Sequence, residues 1–184
     1  TSKYSGTTLK SINNKIPNSE ITIIDTPGLI PDGRISDLIS VENGLKLVPA
    51  GEISRKTFKL EENQVFMFDV FCRFKILGNE LLESGNKPIF SAYASKSVKF
   101  HVAREERVQD LLNGNYFEIL QGSEKEKYFQ NEFVTHEVEI EQNEELVIAG
   151  LGWINVKRGP LKVQLEVPKN VRVIVRPSIF KNRK

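Results

Sequence analysis

The stretch VFMFDVFCRFKI, Val65 to Ile76, has an apolar residue at every second position. Successive side chains of a β-strand point to opposite faces, so this period of two gathers the apolar residues on one face. They are Phe66, Phe68, Val70, Cys72, Phe74 and Ile76. We therefore predict one strand with a strongly apolar face, on which Cys72 is a core residue and not a nucleophile.

The same alternation recurs downstream and predicts a domain built mainly of antiparallel strands. Further alternating stretches are Val98–Val102, Val134–Ile140, Val163–Val167 and Val171–Val175. The turn Pro168–Asn170 is expected to join the last two strands as a hairpin. One helix is predicted in AREERVQDLLNG, residues 103–114, since Val108, Leu111 and Leu112 share a helical face and Gly114 provides a stop.

Glycine and proline divide the chain into three predicted parts. Residues 1–30 have a polar opening and one short strand, Ile21–Ile24, which we expect to be buried. Residues 31–52 form a connector with room for a short helix around Ser36 to Leu47, and residues 53–184 form the β-rich domain. The predicted fold class is α+β, predominantly antiparallel β, with one helix packed on the carboxy-terminal domain.

Composition favours a soluble cytoplasmic protein. Apolar residues make up 39% of the 184-residue chain and charged residues 27%, which are ordinary globular values. No apolar run approaches the roughly 20 residues that span a bilayer, and the first residues do not form a signal peptide. The single cysteine excludes an internal disulfide framework and fits a reducing compartment.

The positive charge of the chain is concentrated at its carboxy-terminal end. Residues 157–184 carry nine basic side chains and one acid, a formal charge of +8, which leaves −6 on residues 1–156. Such asymmetry favours an anionic partner. Candidate contacts to RNA phosphates are Lys162, Arg172, Arg176, Lys181, Arg183 and Lys184. An ordinary solvated face is the alternative, and nothing indicates DNA specificity or a membrane partner.

Trp153 and two nearby glycines are each open to a core or backbone interpretation and to a ligand-binding one. Trp153 lies within the continuous apolar run Leu146–Ile154, which favours a core position over a ligand platform. Gly150 and Gly152 are not a dinucleotide fingerprint because no amphipathic helix follows them. A bulge or a close approach of strands explains these glycines better.

The motif that indicates a nucleotide-binding site is ITIIDTPGLI, Ile21 to Ile30, preceded by SGTT, Ser5 to Thr8. In nucleotide hydrolases an Asp that follows a buried strand helps to hold Mg²⁺, and a Thr on a separate mobile loop closes onto the metal. A Gly beyond the Asp allows the γ-phosphate to approach its backbone N–H. The alternative is that Thr-Pro-Gly is an ordinary turn after a strand.

These motifs resemble the switch I to switch II passage of the YqeH-type circularly permuted GTPases, a family linked to assembly of the small ribosomal subunit. Three downstream blocks resemble the carboxy-terminal domain of that family: SAYASKSVKFHVAREERVQDLL, ELVIAGLGWINV and KVQLEVPKNVRVIVRPSIF. The resemblance extends over nearly the whole chain. It implies a small remnant of a P-loop GTPase domain, residues 1–30, followed by a β-rich docking domain for ribosomal RNA or the small ribosomal subunit.

The resemblance also implies roles for individual residues. Thr8, with Thr7 as the other candidate, would sense Mg²⁺, Asp25 would hold Mg²⁺ through water, and Gly28 would contact the γ-phosphate. Leu29 stands where many GTPases carry a catalytic Gln. A leucine cannot orient water, so no catalytic residue is assigned.

The chain has no G-x-x-x-x-G-K-[ST] phosphate loop and no base-recognition motif. It is therefore interpreted as a fragment that is inactive alone, with GTP or GDP and Mg²⁺ bound only by the intact protein, because phosphate affinity comes mainly from the missing loop. Nucleotide state is expected to set the position of the docking domain. The alternative is a self-sufficient RNA- or protein-binding β domain without a nucleotide role.

Overall fold

The structure is a computed structural model that describes residues 12–17, 19–25, 31–77 and 84–180, with only the backbone of Ile12 and Asp25. The chain divides into two units, residues 1–32 and residues 33–184.

The first unit contains a two-stranded antiparallel hairpin of β1 (Ile12–Lys15) and β2 (Thr22–Asp25). The predicted strand at Ile21–Ile24 is confirmed, but its predicted burial is wrong. Ile21, Ile23 and Ile24 are 55–61% exposed. Within the described part of the chain, β2 pairs only with β1.

The second unit contains two five-stranded antiparallel sheets, which confirms the predicted β-rich fold class. Sheet I has the order β12 (Val173–Pro177), β9 (Glu144–Ile148), β10 (Gly152–Arg158), β6 (Ile89–Ala94) and β3 (Ser54–Lys59). Sheet II has the order β7 (Phe100–Arg104), β4 (Gln64–Phe68), β5 (Cys72–Ile76), β11 (Leu161–Pro168) and β8 (Phe133–Ile140).

The two sheets pack face to face around one aromatic-rich core. Phe90 of sheet I lies 5.2 Å from Phe66 and 5.4 Å from Phe74 of sheet II, measured between ring centroids. All three side chains are at most 1% exposed. Their burial follows from the period of two, since every second residue of the paired strands faces the opposite sheet. Cys72 is buried in this core, as predicted.

The stretch Val65–Ile76 forms a hairpin and not the single strand that its alternation predicts. The chain turns at Asp69–Phe71, where Asp69 has a φ of +52° and Phe71 N–H donates to the carbonyl of Phe68 at 3.0 Å. β4 and β5 then pair antiparallel. The alternation does not reveal this turn, because the turn contains no glycine and its apolar residues Val70 and Phe71 are themselves buried.

The predicted hairpin around Pro168–Asn170 is also wrong, because the two flanking strands belong to different sheets. β11 pairs with β5 and β8 in sheet II, whereas β12 pairs with β9 in sheet I. The turn crosses from one layer of the sandwich to the other. Val167 and Val171 both remain buried across it, so alternation alone does not reveal the change of sheet.

The described residues contain three α-helices: α1 (Val41–Leu47), α2 (Glu105–Asn113) and α3 (Gly122–Phe129). Helix α1 lies where a short connector helix is predicted from the sequence. Helix α2 and its stop at Gly114 were predicted. Helix α3 has a weak apolar periodicity, and its anchor is Tyr128, a buried side chain whose hydroxyl donates to the carbonyl of Phe71 at 2.7 Å. No helix in the described ranges is long and apolar enough to cross a bilayer.

The segment predicted as a connector packs onto the second unit from Gly33 onward. The carbonyl of Gly33 accepts the N–H of Arg172 at 2.8 Å, and the N–H of Ile35 donates to the carbonyl of Ala149 at 2.9 Å. A 3₁₀ turn at Ile35–Leu38 and helix α1 then bury Ile35 and Leu47 in the core. The chain leaving the DTPG motif is therefore fixed to sheet I within a few residues.

Candidate functional site

The outer face of sheet I carries aromatic and basic side chains on adjacent strands. Strand register places Trp153 opposite Tyr93, and Tyr93 opposite Arg55. Their neighbours along the strands, such as Ile154 and Ala92, point the other way into the core. The rings of Tyr93 and Trp153 stack in parallel, with centroids 4.9 Å apart and an interplanar angle of 4°. We call these two residues the aromatic pair.

Two basic side chains flank the aromatic pair. The guanidinium of Arg55 lies 5.8 Å from the centroid of Tyr93, and the ammonium of Lys157 lies 6.0 Å from that of Phe180, distances typical of cation–π contacts. Partial burial, together with the charge of Arg55, holds the pKa of Lys157 below its usual range. An anion placed between Arg55 and Lys157 would reduce the repulsion between their two positive charges.

A buried carboxylate fixes the chain that crosses this face after β12. Glu145 is fully buried, and its carboxylate forms an ion pair with Arg176 at 3.2 Å. The same carboxylate accepts the Ser178 hydroxyl at 3.1 Å and the Ile179 N–H at 3.3 Å. Arg176 therefore neutralises a buried charge, which is costly to leave unpaired.

Residues Ser178–Phe180, which we call the strap, contact the aromatic pair at Tyr93. The ring of Phe180 stacks on Tyr93 with centroids 5.2 Å apart and an angle of 27°. Phe180 itself is 43% exposed, whereas Tyr93 is 6% exposed. At the other end of the strap, the Ser178 hydroxyl accepts a hydrogen bond from the Asn155 amide at 2.7 Å.

Two buried polar atoms on this face have no hydrogen-bond partner among the described residues: the indole nitrogen Nε1 of Trp153 and the amide oxygen Oδ1 of Asn155. They belong to alternate residues of β10 and so lie on the same side of the sheet. One is a donor and the other an acceptor. Buried polar groups without partners are uncommon in native proteins.

The outer face of sheet II is different, since its basic residues are matched by acids. Arg73 pairs with Glu166, and Lys75 lies 2.9 Å from Glu105. Lys162 is exposed on β11 and stands opposite Glu139 in the register. This face therefore offers no excess of positive charge to an anionic partner.

The predicted RNA candidates do not form one stripe. Lys162 lies on sheet II, Arg172 is exposed in the turn before β12, and Arg176 lies on sheet I but is bound to Glu145. Lys181, Arg183 and Lys184 lie outside the described residues, as do the switch candidates Thr7, Thr8 and Gly28. Asp25 ends β2 opposite Ile12, so the chain enters and leaves the hairpin at the same end.

The sequence reasoning missed Arg55, Tyr93 and Lys157 as candidates, and its placement of Trp153 in the core is wrong. Trp153 is only partly buried and lies outside the core cluster. The apolar run Leu146–Ile154 suggested one buried segment, but it spans the end of β9, a turn and the start of β10. Reading GWINVKR alone with a period of two would have placed Trp153 and Lys157 together on the outer face.

Asp69 has the most strongly perturbed carboxyl group among the described residues, but its contacts are structural. Burial raises the pKa of Asp69 to about 6, although the carboxylate accepts the N–H groups of Val70 at 3.0 Å and Lys99 at 3.1 Å. These bonds tie the β4–β5 turn to the start of β7. We assign Asp69 to the stability of that turn.

Comparison with known proteins identifies the family. The YqeH-like, C-terminal family model matches residues 87–179, which include β6 through β12 and therefore the aromatic pair. A Bacillus subtilis (strain 168) protein described as uncharacterized protein YqeH is 28% identical over 182 residues, or 98% of this chain and 48% of that protein. The chain thus spans about half the length of this relative. The chain belongs to the YqeH-like family, with the family's carboxy-terminal domain on residues 87–179.

Proposed function

We propose that this chain acts as part of a circularly permuted GTPase that assists assembly of the small ribosomal subunit, and that its second unit docks on ribosomal RNA. Membership of the YqeH-like family supports the proposal. So do SGTT and DTPG, in which Thr8 (or Thr7), Asp25 and Gly28 match Mg²⁺-binding and γ-phosphate-binding positions. GTP and Mg²⁺ are the proposed ligands of the whole GTPase.

The observation that carries the RNA proposal is the outer face of sheet I. Unpaired bases bind proteins by stacking on aromatic side chains, at about 1–3 kcal/mol per base, while nearby Arg and Lys contact the phosphates. This face combines the aromatic pair with Arg55 and Lys157. Its buried acid, Glu145, is neutralised by Arg176. Single-stranded RNA is therefore the partner that fits best.

Replacing Arg55 and Lys157 together by Ala is expected to weaken binding to single-stranded ribosomal RNA and to flatten its salt dependence. Each lost phosphate contact should reduce the slope of log K against log salt by about 0.7 for a single strand. Fluorescence anisotropy across a salt series measures both quantities. The matched control is Lys162→Ala on sheet II, which should change neither. Equal weakening by the control would move the interface away from sheet I.

The same proposal couples the switches to the docking face. The DTPG motif is followed within a few residues by Gly33 and Ile35, whose backbones hydrogen-bond to Arg172 and Ala149 of the second unit. A nucleotide-dependent movement of switch II would therefore pull directly on the end of sheet I. This arrangement supports nucleotide-controlled docking by a short covalent path.

Asp25→Asn in the whole GTPase is expected to abolish the difference in ribosome affinity between its GTP-bound and GDP-bound forms. Coupled sites typically differ by about 5- to 150-fold, and the variant should bring that ratio close to one because Mg²⁺ no longer orders the switch. Co-sedimentation with small subunits measures the ratio. Asp32→Asn, an exposed carboxylate just beyond the motif, is the control. An unchanged ratio in Asp25→Asn would refute the coupling.

A further inference from the structure

We infer that the face of Tyr93 on which Phe180 of the strap stacks is a binding site for one unpaired RNA base, and that Phe180 occupies this site in the free protein. The inference rests on the proposed RNA-binding function and adds the location of the base and the group that it displaces.

The position of Phe180 defines where a base would stack. Its ring lies on Tyr93 at 5.2 Å, and Tyr93 lies on Trp153 at 4.9 Å. A base and a phenyl ring are both flat and stack on an aromatic neighbour at similar spacing. A base that replaces Phe180 therefore continues the same stack, and Arg55 and Lys157 lie beside it to receive the flanking phosphates.

The strap is held by bonds that a ligand can replace without disrupting the core. Phe180 is 43% exposed. Its N–H donates to the Ser178 hydroxyl at 3.1 Å, and that serine is bound to Glu145 and Asn155. Turning Phe180 outward leaves the Arg176–Glu145 pair intact. Displacement therefore opens the stack without unpairing a buried charge.

The test compares Phe180→Ala with the unaltered chain for binding to a short single-stranded RNA of mixed sequence. Removal of a competing occupant raises the apparent affinity by the inverse of the open fraction, and we expect about five- to twentyfold tighter binding. Ile179→Ala is the matched control, because Ile179 is an exposed apolar strap residue without a described ring contact.

The outcomes separate this inference from the function on which it rests. Tighter binding in Phe180→Ala, but not in Ile179→Ala, supports the base site. RNA binding that is unchanged or weaker in Phe180→Ala overturns the inference and leaves RNA binding by the chain in place. Absence of RNA binding by all three proteins at low salt overturns the proposed function itself, and the base site with it.

Discussion

Gly152→Ala is expected to lower the free energy of unfolding by about 4 kcal/mol or more, which approaches the whole stability of a typical domain. A Cβ at this position would lie 2.2 Å from the carbonyl oxygen of Tyr93 and 3.1 Å from the Cβ of Ala94. The first of these is a backbone atom of the neighbouring strand β6. No rotamer change relieves the overlap, so β6 and β10 must separate in the middle of sheet I.

Urea unfolding followed by circular dichroism measures this loss, and Gly44→Ala provides the control. A Cβ at Gly44 would meet its nearest neighbour, the Cβ of Ser36, at 3.6 Å, which is ordinary contact. Gly44 lies within helix α1, where alanine is the better helix former by about 1 kcal/mol. The control should therefore be neutral or stabilising. A Gly152→Ala protein within 1 kcal/mol of the unaltered chain, on the scale of an ordinary substitution, would contradict the β6–β10 packing.

Arg176→Ala is expected to cost about 3 kcal/mol of unfolding free energy, because it leaves the fully buried Glu145 carboxylate without its cation. Arg172→Ala, four residues earlier on an exposed site, should change stability by about 0.5 kcal/mol or less. The two arginines were equivalent phosphate contacts in the sequence prediction.

The double variant Glu145→Gln/Arg176→Ala tests the reason for that loss. A neutral amide needs no counter-ion and can still accept from Ser178 and Ile179, so most of the stability should return. Thermal unfolding of the two single variants and the double variant gives the coupling between the two positions. A double variant as unstable as the sum of the two single variants would show that charge pairing is not what Arg176 contributes.

The sequence allowed the class of the fold to be predicted, but not the partners of each strand. Alternation at Phe66, Phe74 and Val163 reports which side chains are buried, and those side chains face the core. Alternation is blind to turns made of buried residues, such as Asp69–Phe71. Alternation also does not show which sheet a strand joins. It therefore does not reveal that β11 and β12 join different sheets on either side of Pro168–Asn170. Pairing of distant strands is decided by tertiary packing.

The candidate site was predicted less well, because it is assembled from three strands that are far apart in the chain. Arg55, Tyr93 and Trp153 come together only through the registers of β3, β6 and β10. Net charge drew attention to the carboxy-terminal residues, yet charge says nothing about which face of which sheet a residue occupies. The close approach of strands predicted around Gly150 and Gly152 is confirmed at Gly152.

The central claim is that RNA binds the outer face of sheet I, and the fluorescence of Trp153 tests it most directly. Trp153 is the single tryptophan of the chain and lies within the proposed stack. Titration with single-stranded small-subunit ribosomal RNA, over a series of salt concentrations, reports binding and location together. Emission that changes on binding, with an affinity that falls steeply as salt rises, is the predicted result. RNA binding detected by anisotropy with unchanged Trp153 emission, or no binding at low salt, would contradict it.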